Sequence, residues 1–138
     1  MQVKDFMTSI IVTADIDTPV VDAARLMAAD DVGSLLVTKG DELVGLVTRK
    51  EIIYAQLFSE ESYHSLVLDD IILTPVVTIG PDADLGQIIS LMNHSGRRYI
   101  PVIQGEEIIG IVTATDVIRV LATMKLIADG RSIEESED

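Results

Sequence analysis

The sequence predicts an α/β chain made of two pseudo-symmetric β-α-β-β-α units, packed sheet to sheet as one compact module. Three observations lead there. The two halves match each other at a nearly constant offset, and both halves pass through the same succession of hydrophobic periods. A chain of 138 residues with 48% apolar content can also fill one core without covalent staples. That core is aliphatic, because Phe6, Phe58, Tyr54, Tyr63 and Tyr99 are its aromatic residues.

The duplication is read by placing Gly45-Leu46-Val47-Thr48 over Gly110-Ile111-Val112-Thr113, an offset of 65. Asp17 then meets Asp82, Leu26 meets Leu91, Met27 meets Met92 and Val37 meets Val102. Gly40 and Glu42 likewise meet Gly105 and Glu107. Upstream, Met7-Thr8 matches Leu73-Thr74 at an offset of 66, so a one-residue length difference falls before Val12-Thr13, which match Val77-Thr78. These matches place a first unit at 1–58, a linker at 59–67, a second unit at 68–127 and a polar acidic tail at 128–138.

Within each copy the elements follow in order. Ile10-Ile11-Val12 and Val76-Val77 are short β-branched runs, expected to open each copy as a strand. Val20, Ala23, Ala24 and Met27 then recur at helical spacing, as do Leu85, Ile88, Ile89 and Met92. Asp17-Thr18-Pro19 and Pro81-Asp82 supply helix starts, and Gly33 and Gly96 supply stops. Two strands follow, Leu35 to Val37 with Leu43 to Val47, and Ile100 to Ile103 with Ile108 to Val112, joined by turns at Gly40 and Gly105. The closing helices carry two apolar stripes: Val117, Val120, Leu121 and Met124 form one, and Ile118, Ala122 and Leu126 another. Ile52, Ile53, Leu57 and Phe58 are spread in the same way, and such helices pack on two neighbours, here the sister copy or a second subunit.

Charge and composition exclude several functions. A net charge of −13 disfavours DNA, RNA and anionic membranes as partners, so an anionic ligand needs local cations such as Arg49-Lys50 or Arg97-Arg98. The absence of cysteine removes disulfides and thiolate chemistry. His64 and His94 have no metal-ligand spacing and are expected at the surface. No phosphate-binding glycine loop, nucleophile elbow or nucleophile–base pair is present, and a non-catalytic protein without catalytic cofactor or metal is expected. The N-terminus has no basic region followed by an apolar stretch, and no apolar run approaches a membrane span; the expected location is the cytoplasm.

Thr113-Ala114-Thr115-Asp116 and Thr48-Arg49-Lys50-Glu51 each follow a strand and open a helix. Either can be a capping box, in which Thr caps the first turn and the acid reaches back to a backbone N–H. The same junction can instead bind a ligand, since free N–H groups and a positive helix end suit phosphate or ribose oxygens, and a carboxylate there accepts from ribose hydroxyls. The pattern alone leaves both open.

Two units of this kind, each ending in Gly-hydrophobic-hydrophobic-Thr-x-x-acid, resemble a tandem pair of CBS (cystathionine-beta-synthase) domains, the Bateman module. The resemblance is carried by Val3 to Thr8 and Gly45 to Glu51 in copy one, and by Asp70 to Val77, Arg97 to Val102 and Gly110 to Asp116 in copy two. It implies a regulatory, signal-transducing module, often a homodimer, that binds AMP, ADP, ATP or S-adenosylmethionine between the paired domains. With no attached enzyme in these residues, the output is expected to reach a separate effector protein. Carried over, Asp116 is the ribose ligand with Thr113 beside it, and Thr74, Pro75, Val76, Val77, Ile100 and Pro101 line the adenine slot. Arg98, beside the opening of a strand, is the phosphate candidate; Arg97, Thr48, Lys50 and Glu51 are secondary. Copy one departs from the pattern, with Glu51 for Asp and Leu36 where copy two has Pro101, so its site is expected to be weaker, altered or empty. The alternative function is a ligand-free dimerisation or docking scaffold.

Overall fold

A computed structural model describes residues 1–137, with side chains described through residue 130. In chain order its elements are α1 (Val3–Phe6), β1 (Thr13–Asp15), α2 (Val20–Asp30), β2 (Ser34–Lys39), β3 (Glu42–Thr48), α3 (Arg49–Gln56), α4 (Glu60–Ser65), a 3-10 turn (Leu68–Asp70), α5 (Leu85–Ser95), β4 (Tyr99–Gln104), β5 (Glu107–Thr113) and α6 (Ala114–Glu137). They form two compact units, Ile11–Val76 and Met1–Ile10 with the chain from Val77 onward. Each unit joins the sheet and helices of one copy to the segment that opens the other. The partition therefore differs from the sequence copies at both leading segments, residues 1–10 and 68–76.

In the unit Ile11–Val76, β1 runs parallel to β2 and β2 antiparallel to β3. The expected strand at Ile10-Ile11-Val12 is displaced forward: Val12 offers its carbonyl to Leu36 N–H, the ladder runs on from there, and Ile10 is 78% exposed. β-branched composition found the segment but not its register. Gly40 turns the hairpin with a φ of +62°, which costs a residue without Cβ nothing. Val37 pairs with Gly45 and Thr38 with Leu43, so Val44 is the extra residue of a bulge. Leu35, Val37 and Val47 bury against Val20, Ala23 and Met27 of α2, Ile52 and Ala55 of α3, and Leu68. Each of the larger side chains contributes about 1.5–3 kcal/mol when fully buried. The linker expected at 59–67 belongs to this core, since it contains α4 and packs Tyr63 and Leu66 against it.

The other unit repeats the hairpin with the same bulge, Val102 pairing with Gly110 and Ile103 with Ile108 to leave Ile109 extra. Its opening strand shrinks to one parallel bridge, Ile79 with Val102, instead of the strand expected at Val76-Val77. The helix starts and stops also move. Asp84, not Pro81-Asp82, caps α5 by accepting from Gln87 N–H at 2.8 Å. α2 ends on Asp31 in the left-handed region, φ +51°, at the position where α5 has Gly96, φ +69°; Gly33 is not its stop. The core is Val3, Ile88, Ile100, Val102, Val112 and Val117.

Of the first apolar stripe on α6, Val117 and Val120 are buried whereas Leu121 and Met124 are 46% and 43% exposed. Ile118, Leu126 and Ile127 are exposed too, as are Ile53, Tyr54, Leu57 and Phe58 at the end of copy one. The tail expected from 128 continues α6 as helix through Glu137; Asp138 lies outside the described residues.

Residues 3–8 are built into this second unit. Val3 N–H donates to Ala83 O at 2.8 Å and Lys4 N–H to Pro81 O at 3.0 Å. Thr8 and Ile111 exchange both backbone bonds at 2.8 Å. A Cβ on Gly110 would stand 2.7 Å from Met7 Sδ and 2.9 Å from Thr8 O, so the missing side chain is what lets the segment lie against β5. In the unit Ile11–Val76, Ile72 and Leu73 lie over Gly45 in the same way.

Candidate functional site

The junction between β5 and α6 places Thr113 and Asp116 where the sequence expects them. Asp116 is 8% exposed and is the buried charged side chain among the described residues. Its Oδ2 accepts Thr113 N–H at 2.9 Å, and its own N–H donates to Thr113 Oγ1 at 3.1 Å, a reciprocal capping box. A second donor reaches the carboxylate: Thr8 Oγ1 donates to Oδ1 and Oδ2 at 3.4 and 3.3 Å. Sequence reasoning missed Thr8. The match of Met7-Thr8 to Leu73-Thr74 marks it as part of the repeat, but nothing local says which carboxylate it meets 108 residues away.

Arg98 is tied to the same junction through its carbonyl, which accepts Ala114 N–H at 2.9 Å. Its side chain is exposed and has no carboxylate partner among the described residues. Arg97 is half-buried. Ile100 and Pro101 are buried on β4, and Val77 packs against the core of this unit. Thr74, Pro75 and Val76 belong to the other compact unit, where Thr74 and Pro75 are exposed and joined by a cis peptide bond.

Copy one uses the same backbone junction with different chemistry. Arg49 N–H donates to Gly33 O at 3.2 Å, the counterpart of Ala114 to Arg98, so copy one has glycine where copy two has a guanidinium. Glu51 Oε1 accepts both Thr48 N–H at 2.8 Å and Thr48 Oγ1 at 2.6 Å. Its nearby cations are directed elsewhere: Lys50 lies over the Tyr54 ring at 5.7 Å, and Arg49 lies 3.7 Å from Asp31. Leu36, at the position of Pro101, is buried as well.

His64 and His94 are exposed, each with Nδ1 at 2.8 Å from the carbonyl four residues earlier. Among the described residues no cluster of three acidic or histidine side chains could hold a metal, and no helix is long and apolar enough to cross a membrane. An apolar groove of about 440 Å³ opens between α2 and α3, lined by Met27, Val32, Ile52 and Ile53 with the Asp31–Arg49 pair at its edge. Of the cations expected to serve an anionic ligand, Arg49 lines it; none of the residues expected to hold the adenosyl ligand does.

The CBS domain family model matches residues 3–58 and 67–123, and the chain belongs to that family as a tandem CBS pair. It is 30% identical over 115 residues to an inosine-5'-monophosphate dehydrogenase of Korarchaeum cryptofilum, covering 83% of this chain and 23% of that protein. The CBS domain pair of protein MJ0100, solved in complex with 5'-methylthioadenosine and S-adenosyl-L-methionine, superposes with a TM-score of 0.79 at 21% identity, over 90% of this chain and 98% of that one. A hexameric CBS-CP12 protein from bloom-forming cyanobacteria gives 0.78 at 27% identity, over 86% and 66% of the two chains. The mixed α/β fold of two β-α-β-β-α-like units is thus that of the CBS pair. The chain spans 13%, 57% and 23% of the first curated relatives it matches, which include an A-adding tRNA nucleotidyltransferase and the inosine-5'-monophosphate dehydrogenase.

Proposed function

We propose that this chain is a regulatory, non-catalytic module that binds an adenosine-containing ligand, AMP, ADP, ATP or S-adenosylmethionine, at the β5–α6 junction of copy two and passes the signal to a separate effector. The observation that carries the reading is Asp116: a buried carboxylate at a helix N-terminus, flanked by the hydroxyls of Thr113 and Thr8, with the exposed Arg98 joined to the same junction through its backbone carbonyl. Burying a charge is costly unless it is well bonded. The Thr8 contacts exceed the ~2.5–2.7 Å of a good hydroxyl–carboxylate bond, which leaves acceptor capacity for ribose hydroxyls. Of the residues expected to line the adenine slot, half-buried Val77 has side-chain surface to offer in this unit, whereas Ile100 and Pro101 are fully buried and Thr74, Pro75 and Val76 belong to the other unit. Copy one is the weaker site, because Glu51 is closed onto Thr48 and no arginine stands at Gly33. The exposed apolar residues of α3 and α6 fit a homodimer.

A melting assay with adenosine compounds tests this. A ligand at 100 times its dissociation constant stabilises by about 2.7 kcal/mol, several degrees in a domain of this size. At least one of the four ligands should give that shift and GTP should not, since its 6-oxo group reverses the donor pattern of adenine. Asp116→Asn should reduce the shift more than Glu51→Gln, and Arg98→Ala should cost a phosphorylated ligand more than adenosine. If no adenosine compound at millimolar concentration shifts the melting of ligand-free protein, the capping box is the whole role of the junction and the chain is a docking scaffold.

A further inference from the structure

We propose that residues 3–8 are a strap whose grip on copy two is set by occupation of Asp116, so that the ligand state is expressed in the N-terminal segment; this rests on the function proposed above. The strap has a defined set of holds. Val3 is fully buried, four backbone bonds tie Val3, Lys4 and Thr8 to Ala83, Pro81 and Ile111, and Gly110 gives the clearance. The Lys4–Asp82 ion pair at 3.0 Å is half or more exposed at both ends and adds little. Thr8 to Asp116 is the one side-chain hold, among the described residues, that reaches the ligand carboxylate, and it is long.

A ligand hydroxyl that donates to Asp116 and accepts from Thr8 replaces that long contact by two bonds of ordinary length. Thr8 is in turn locked to Ile111 through its backbone, so a ligand bridging the two side chains pins the whole strap. Ser9 and Ile10 follow immediately and are exposed, and no regular element intervenes before β1. A change in strap order therefore passes directly into the chain that leads to β1.

Hydrogen exchange on the full chain, with and without saturating AMP or S-adenosylmethionine, reads the strap amides Val3, Lys4, Met7 and Thr8 against their global protection. Ligand should slow them about tenfold or more, the factor expected when a hydrogen bond to a charged group is gained. Thr8→Val should lose the slowing while Thr8→Ser keeps it, which a purely structural role of the position would not distinguish. A melting shift with unchanged strap exchange in the parent chain, or equal slowing in Thr8→Val, overturns the proposal alone. Absence of a melting shift with every adenosine compound overturns it together with the reading on which it rests.

Discussion

Adding one methyl group at Gly110 tests how the strap is seated. The new Cβ would meet Thr8 O at 2.9 Å and Met7 Sδ at 2.7 Å, and an ordinary contact to either is at least about half an ångström longer. Met7 can swing away. The Thr8 carbonyl cannot, because it is backbone and already accepts Ile111 N–H at 2.8 Å. Overpacking of this kind costs about 1–3 kcal/mol, to which one weakened backbone bond adds about 1 kcal/mol. At roughly 3–5 °C per kcal/mol for a chain of this length, Gly110→Ala should lower the melting temperature by about 6–20 °C. Gly80→Ala is the control, since its Cβ meets nothing within 4 Å and its φ lies outside the left-handed region; it should change stability by no more than about 0.5 kcal/mol. Circular-dichroism melts of both variants decide the matter. Equal melting of the two would refute the close approach of strap and strand.

Two further outcomes follow from surface and caps. Sedimentation should find a dimer at micromolar concentration, driven by the exposed apolar residues of α3 and α6, and Ile53→Glu with Leu57→Glu should shift it toward monomer; a parent chain that stays monomeric refutes the assembly. Asp31→Gly should stabilise by about 1 kcal/mol in urea titrations, since it relieves a left-handed residue and gives up only an exposed ion pair at 3.7 Å.

The repeat made the architecture legible. Glycines at 40, 45, 105 and 110 and the apolar positions around them dictate the same hairpin twice, even to the bulge at Val44 and Ile109, which no local signal announces. Register and caps were less legible, because Ile10 to Val12 has strand composition yet pairing begins at its end, and Asp84 outcompetes Pro81-Asp82 as the cap through its reciprocal bond with Gln87. Asp116, Thr113 and Arg98 could be read from their spacing and from the family resemblance. Thr8 could not, since its role depends on which sheet the N-terminal segment joins, a long-range pairing that periodicity does not encode.

The duplicated junction shows how one backbone device supports two different chemical states. In both copies the first helical N–H donates to the carbonyl before the hairpin, and the residue three after the threonine turns its carboxylate back. Glu51 is long enough to take the hydroxyl proton of Thr48 as well as its N–H, so acid and hydroxyl satisfy each other. Asp116 is one methylene shorter, and Thr113 Oγ1 acts as acceptor for the helix N–H, which leaves its hydroxyl proton available to another acceptor. The carboxylate then depends on a hydroxyl from the strap, held at 3.3–3.4 Å. Exchanging the two acids isolates this difference. Asp116→Glu should draw the longer carboxylate onto Thr113, stabilise the cap and weaken adenosine-ligand binding, whereas Glu51→Asp should open copy one without conferring binding of phosphorylated ligands, because Gly33 supplies no cation. Calorimetric titration of the two variants against AMP would refute this account if Asp116→Glu bound as tightly as the parent chain.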